Sequence, residues 1–106
     1  MIQNFEATNW NDEDGNPAGG VVDGEGLSIT WQNGPLGRGA DRLEPNGAFV
    51  ETVIAAAKQR IEYYNETKFR CRENSMAITK LDEALMWLNS RTNAREARNV
   101  EGTHQI

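Results

Sequence analysis

Three arginines in the last third of the chain have the residue type and spacing to bind an anion. Arg91, Arg95 and Arg98 are separated by four and three residues, so they share one face if this segment is helical. Guanidinium groups fork onto phosphate oxygens and stack flat on nucleobases. The row therefore predicts a binding surface for an anionic ligand. The competing interpretation is a solvated helix end, where positive charges gain a little from the helix dipole.

Aromatic side chains in the second half could supply the stacking that a nucleobase needs. Tyr63, Tyr64 and Phe69 lie near the end of the first predicted helix, and Trp87 precedes Arg91 by about one helical turn. Each stacked base contributes about 1–3 kcal/mol. Aromatic residues at helical spacing are also common in protein cores, and this alternative applies to Trp87 and Phe69.

A glycine-rich segment, Gly34-Pro35-Leu36-Gly37-Arg38-Gly39, is the most distinctive loop. Its glycines let the backbone approach a ligand closely, and their N–H groups can bind an anion. Arg38 and Arg42 add positive charge beside it. The segment matches neither the Walker motif nor the dinucleotide-binding fingerprint. A tight connector between sheet and helix is the alternative, and the local residue pattern favours the connector.

Patterns typical of catalysis are missing. With a single histidine (His104) and a single cysteine (Cys71), a His/Cys metal site cannot form within one chain. No nucleophile-elbow or Ser-x-x-Lys motif occurs. Acidic pairs such as Asp82-Glu83 lie in surface-like contexts. The sequence therefore predicts no catalytic residue, no metal site and no cofactor, and favours a binding protein over an enzyme.

Length and composition indicate one small intracellular domain. The chain has 106 residues and a net charge of −5. Residues 1–37 contain six acids and no lysine or arginine, whereas residues 38–106 contain eleven bases and ten acids. This balance argues against non-specific DNA binding but permits a local basic pocket. One cysteine is typical of a cytosolic protein, and no stretch has the length or apolarity of a membrane span or a signal peptide.

The positioning elements divide near residue 45, and they predict an α+β fold within one structural domain. Residues 1–45 read as a β-rich anchor that contains the glycine loop, with turns at either Asp23-Gly24 or Glu25-Gly26. Its strand-like runs form a small antiparallel meander: Gln3–Trp10, Val21-Val22 and Leu27–Gln32.

Residues 46–98 read as a long helical hairpin, and residues 99–106 as an irregular tail. The first helix is predicted to begin at an N-cap, Asn46, and to run to about Lys68 or Arg72. The second runs from about Asn74, with Asn74 or Ser75 as its cap, to Arg95 or Arg98. The turn lies between residues 68 and 75. One continuous helix that presents its apolar stripe to another chain is the alternative.

The aromatic and arginine groups cannot meet within one such hairpin. Tyr64 and Asn74 lie near the turn, whereas Arg91 and Arg95 lie about 25 Å away at 1.5 Å per residue. They can meet if two hairpins pack antiparallel, so that the tip of one reaches the base of the other. This geometry predicts a homo-oligomer with a site shared between subunits.

Four segments of the sequence resemble a known family, the first-described type of Thoeris anti-defence protein of bacteriophages. The resemblance covers nearly the whole chain, and its helical half is also similar to the phage anti-CBASS sponge proteins. The segments are Gly26–Arg38, Asn46–Glu51, Arg91–Arg98 and Val100–His104.

The resemblance implies a sponge, which sequesters cyclic nucleotide signals of bacterial immunity without cleaving them. It implies capture of glycocyclic ADP-ribose made by a TIR-domain enzyme, and some members also hold cyclic di- or trinucleotides in separate sites. It further implies action in the host bacterial cytoplasm, and homodimers that assemble into hexamers as trimers of dimers, with pockets between subunits.

The resemblance also assigns roles to residues. An aromatic late in the first helix stacks on adenine, a role that Tyr64 fills, with Phe69 as its rival. An asparagine at the start of the second helix, Asn74, hydrogen-bonds the ligand. Arg91 and Arg95 bind the base and phosphate, and Arg38 reaches a phosphate. A second nucleotide site, where three subunits meet, is assigned to Arg98, Gly102 and Thr103.

Two other functions remain as alternatives. A helical protein-interaction module without a small ligand would use the same helices to dock on a host protein. A nucleotide hydrolase is disfavoured because the sequence offers no plausible base or metal cluster.

Overall fold

The computed structural model describes residues 4–106, in two compact units. One unit consists of the chain through Phe49 together with Val100–Ile106, and the other is Val50–Asn99. The α+β prediction is confirmed, since a three-stranded antiparallel meander precedes two long helices. No helix in the described part of the chain combines the length and the apolar character needed to cross a membrane.

The sheet has the strand order β1 (Phe5–Asn11), β2 (Pro17–Gly24) and β3 (Leu27–Trp31). Its centre is Val22, which pairs with Ala7 on one side and Ile29 on the other. Directly paired residues of antiparallel strands point to the same face, so these three form an apolar row. Val22 is buried, at 9% exposure, because it lies on the central strand.

The turn between β2 and β3 lies at the second of the two predicted positions. The chain turns at Glu25-Gly26, where Gly26 has a φ of +73°, and Gly24 belongs to β2 instead. The second strand is much longer than the Val21-Val22 core that its sequence signals. Gln3, where the first strand was predicted to begin, lies outside the described residues.

The turn between β1 and β2 is organised by Asp12. Its carboxylate accepts hydrogen bonds from the backbone N–H groups of Asp14 and Asn16, both at 2.9 Å. The bond from Asn16 is the main reason why the pKa of Asp12 is lowered.

The predicted N-cap role of Asn46 is wrong, because the first helix, α1, begins at Val50 and ends at Asn65. Asn46 instead exchanges two hydrogen bonds with Asn33, at 2.8 and 3.1 Å, and its backbone N–H donates to the Gln32 side chain. Sequence reasoning missed this role because the partners lie 13 and 14 residues away. Asn46 therefore secures the end of β3 rather than the start of a helix.

The second helix, α2, spans Arg72–Ala97, so the alternative of one continuous helix is wrong. It begins two residues before the predicted start. The cap is Cys71, whose sulfur accepts a hydrogen bond from the Asn74 N–H at 3.4 Å, and not Asn74 or Ser75. The Cys71 N–H donates in turn to the Asn65 side chain at 3.1 Å, which ties the cap to the end of α1.

The two helices pack against each other as a hairpin. Between them Lys58 and Asp82 form an ion pair at 2.6 Å, and this hydrogen bond is the main reason why the pKa of Lys58 is raised. Near the turn the Asn65 amide donates to the Ser75 hydroxyl at 3.1 Å. Neither helix contains a fully buried residue. The predicted stripe of α2 is half-buried throughout, at Ala77, Ile78, Leu81, Ala84, Leu85 and Leu88.

Candidate functional site

The hairpin turn brings together three of the predicted ligand-binding residues. Tyr64 lies in the last turn of α1, Phe69 in the connection and Asn74 in the first turn of α2. The Asn74 amide donates to the Phe69 carbonyl at 3.4 Å. Tyr64 and Phe69 are exposed, at 42% and 67% of their surface. The turn thus presents two aromatic rings and an amide at one end of the hairpin.

A network of polar contacts fixes the shape of this turn. The Thr67 hydroxyl donates to the Tyr64 carbonyl and accepts from the Phe69 N–H at 3.2 Å. The Arg70 guanidinium donates to the Asn65 carbonyl at 3.1 Å, at the C-terminal end of α1. These bonds satisfy backbone groups that a helix end leaves without a partner. These bonds therefore hold both sides of the turn in place.

The arginine row lies on α2, far from the turn. Arg91 and Arg95 are 17 and 21 residues beyond Asn74, which corresponds to about 26–32 Å along the helix axis. Arg91 is exposed, and within residues 4–106 its side chain makes no hydrogen bond or ion pair. Arg95 is half-buried, and Arg98 is the C-cap residue. One hairpin does not bring the arginines to Tyr64.

The glycine loop lies in the other unit and contacts the tail. The Gly37 N–H donates to the Gly102 carbonyl at 2.8 Å, so this N–H already has an acceptor within the chain. Arg38 donates to the Glu101 carbonyl at 2.9 Å. Arg42 forms a bidentate pair with the Glu101 carboxylate, at 2.7 and 3.1 Å. These contacts therefore anchor the tail to the loop and to Arg42, which follows it.

The residues predicted for a second nucleotide site are divided between the two units. Gly102 and Thr103 lie in the same unit as Arg38, which was assigned to the first site. The Thr103 hydroxyl donates to the Val100 carbonyl and accepts from the Gln105 N–H. Arg98 belongs to the hairpin unit. Within residues 4–106, no group of three or more His, Cys, Asp or Glu side chains could hold a metal ion.

Gly102→Ala is expected to destabilise the chain by about 1–3 kcal/mol. Gly102 has a φ of +78°, and a Cβ there would lie 2.5 Å from the Gly37 carbonyl oxygen. Gly26→Ala is the matched control, since its φ is +73° but no atom lies within 4 Å of the new carbon. Thermal unfolding compares the two variants. A melting temperature for Gly102→Ala that is no lower than that of Gly26→Ala would contradict the close approach.

Two residues in the last turns of α1 were missed by sequence reasoning. Asn65 bonds both Cys71 and Ser75, and Arg60 contacts Tyr64, with its Nε donating to the phenol oxygen at 3.0 Å. Arg60 precedes Tyr64 by four residues, so helical spacing alone could have indicated that the two side chains meet. No comparable signal exists for Asn65, because its contacts depend on the turn conformation.

Comparison with known proteins identifies the family. The family model described as "Acb2/Tad1, hairpin domain" matches residues 24–93. A relative, Thoeris anti-defense 1 of Bacillus phage SBSphiJ7, is 49% identical over 82 residues, which make up 77% of this chain and 55% of the relative. The chain thus spans about half the length of that relative. The resemblance predicted from the sequence is confirmed: the chain belongs to the Acb2/Tad1 hairpin-domain family.

Proposed function

We propose that this protein is a phage anti-defence sponge. It binds and sequesters the TIR-derived signal glycocyclic ADP-ribose without cleaving it, in the host bacterial cytoplasm, and so prevents activation of the Thoeris effector. The observation that carries the proposal is the family match, which spans the end of the sheet and most of the hairpin. The name of the relative, Thoeris anti-defense 1, supports the same role.

The proposed pocket combines two subunits. Tyr64 stacks on the base and Asn74 hydrogen-bonds the ligand, with Phe69 as the rival ring. Arg91 and Arg95 of a second subunit bind the base and phosphate. Exposure supports this arrangement, because Tyr64 is 42% exposed and Arg91 has no partner among residues 4–106. Arg38 is a further candidate for a phosphate contact.

Assembly is supported by the apolar surface that a single chain leaves exposed. Met86 and Trp87 of α2 are 56% and 65% exposed, and neither helix has a buried residue. Helices of a soluble protein normally bury an apolar face. We infer a homodimer of antiparallel hairpins and, following the resemblance, a hexamer built as a trimer of dimers. Also following the resemblance, cyclic di- or trinucleotides would bind a separate site where three subunits meet, with Arg98, Gly102 and Thr103 contributed to it.

Isothermal titration calorimetry with glycocyclic ADP-ribose tests the proposal directly. Tight binding is expected, followed by recovery of the unchanged ligand after heat denaturation of the complex. A processed ligand would instead support a nucleotide hydrolase.

A protein-interaction module is the second candidate, and the exposed Trp87 and Met86 favour it. It predicts that no nucleotide raises the melting temperature of the protein. Sequestration predicts a clear rise, because a ligand that binds only the folded state stabilises it by mass action. A thermal-shift measurement with glycocyclic ADP-ribose and with cyclic di- and trinucleotides therefore separates the two.

A further inference from the structure

Arg60 is held in place by two aromatic rings near the end of α1. Its guanidinium carbon lies 4.8 Å from the ring centroid of Tyr64 and 5.2 Å from that of Tyr63. Its Nε donates to the Tyr64 hydroxyl at 3.0 Å. The two rings are themselves tilted by 50°, with centroids 5.9 Å apart. An exposed arginine is thus restrained by three contacts, none of which is an ion pair.

No carboxylate among residues 4–106 neutralises the positive charge of Arg60. Within the described range 4–106, no acidic side chain lies within ion-pair distance of it, and its two Nη groups have no acceptor. Other cations differ: Lys58 pairs with Asp82 and Arg42 with Glu101. Because only the Nε of Arg60 donates a hydrogen bond within residues 4–106, its Nη groups stay available for an external acceptor.

We propose that Arg60 binds a phosphate of the ligand whose base stacks on the neighbouring Tyr64. This inference rests on the proposed function and extends it by one residue. The guanidinium carbon of Arg60 lies 4.8 Å from the ring centroid of Tyr64, a residue that is 42% exposed. A planar guanidinium offers two parallel donors that match phosphate oxygens. The ligand is then bound by cations of both subunits, with Arg60 on the subunit that supplies the ring.

The rival ring has a cation of its own, which provides a matched comparison. The Lys68 ammonium lies 5.3 Å from the Phe69 ring centroid. Phe69 has no hydroxyl to orient its cation, and the two residues are neighbours in the turn rather than in a helix. Sites built on regular elements hold their geometry better than sites on turns. Arg60 and Tyr64 are therefore the pre-organised pair.

The test is calorimetry of the full chain with glycocyclic ADP-ribose at several salt concentrations. Arg60→Ala is expected to weaken binding by about tenfold or more, since a hydrogen bond between charged groups is lost. Its affinity should also depend less steeply on salt, because one ion contact is missing. Arg60→Lys should recover part of both losses. Lys68→Ala removes the same charge nearby and is expected to bind like the wild type.

Each contrary result has a defined meaning. Wild-type affinity in Arg60→Ala would overturn the inference, as would a larger loss in Lys68→Ala. An affinity that falls with unchanged salt dependence would also overturn it, since Arg60 would then only position Tyr64. Thermal unfolding of every variant separates these results from misfolding. If the wild type binds no glycocyclic ADP-ribose, the proposed function fails together with this role, whereas the other outcomes leave it standing.

Discussion

Arg91→Ala protein is expected to lose measurable binding of glycocyclic ADP-ribose while it unfolds at the wild-type temperature. A charge-assisted hydrogen bond contributes about 1.5–3 kcal/mol, and a guanidinium that binds both base and phosphate makes more than one. The fold should survive, because the Arg91 side chain is exposed and makes no hydrogen bond or ion pair within residues 4–106. Surface substitutions of this kind usually change stability by less than about 0.5 kcal/mol.

Calorimetry and thermal unfolding together check this expectation. Lys80→Ala is the matched control, because it removes a positive charge from another exposed position of the same helix, where Lys80 pairs weakly with Glu83. The control variant should bind normally. Undiminished affinity in Arg91→Ala would contradict the assignment of Arg91 to the site.

Arg95→Glu extends the test to the second arginine of the pair. A reversed charge should repel the phosphate that Arg95 is proposed to bind. Arg95 is half-buried and has interactions of its own. The melting temperature of the Arg95→Glu protein must therefore be compared with that of the wild type before its affinity is interpreted. Binding that persists in a folded Arg95→Glu protein would restrict the anion site to Arg91.

The helices could be predicted from the sequence because their signal is repeated along the chain. Apolar residues at spacings of three and four specify the face of α2, and the residues of that stripe are all half-buried. The start of α2 was predicted wrongly because local cap propensities did not decide it. A thiol is a weak acceptor, so asparagine is the better cap on propensity alone, yet Cys71 caps α2 because Asn65 fixes its backbone.

Contacts between residues distant in the chain could not be predicted from local patterns. Arg42 and Glu101 are 59 residues apart, and nothing in the intervening sequence links them. The same holds for Asn46 and its partners at the end of β3. The candidate site is an intermediate case. The arginine row and the aromatics were visible as residue types, but their proposed meeting would need a second chain, which no single-chain pattern specifies.

Mixing two inactive variants is expected to restore binding, and this result would locate the site between subunits. In a twofold-symmetric dimer, each pocket takes Tyr64 from one chain and Arg91 from the other. A mixed dimer of Tyr64→Ala and Arg91→Ala then has one pocket with both substitutions and one pocket with neither. Random pairing yields mixed dimers in about half of the population, so about a quarter of the wild-type number of pockets should return, at wild-type affinity.

The measurement is calorimetric stoichiometry after the two proteins are unfolded and refolded together. Each variant refolded by itself is the control and should show no binding. A pocket within one chain would predict that no binding returns, because every chain in the mixture lacks either the Tyr64 ring or the Arg91 guanidinium. The helix geometry makes that alternative hard to satisfy, since α2 separates Asn74 from Arg91 by about 26 Å and a straight helix cannot shorten this distance. Absence of restored binding in demonstrably mixed dimers would therefore remove the shared pocket, and with it the reason for assigning both residues to one ligand.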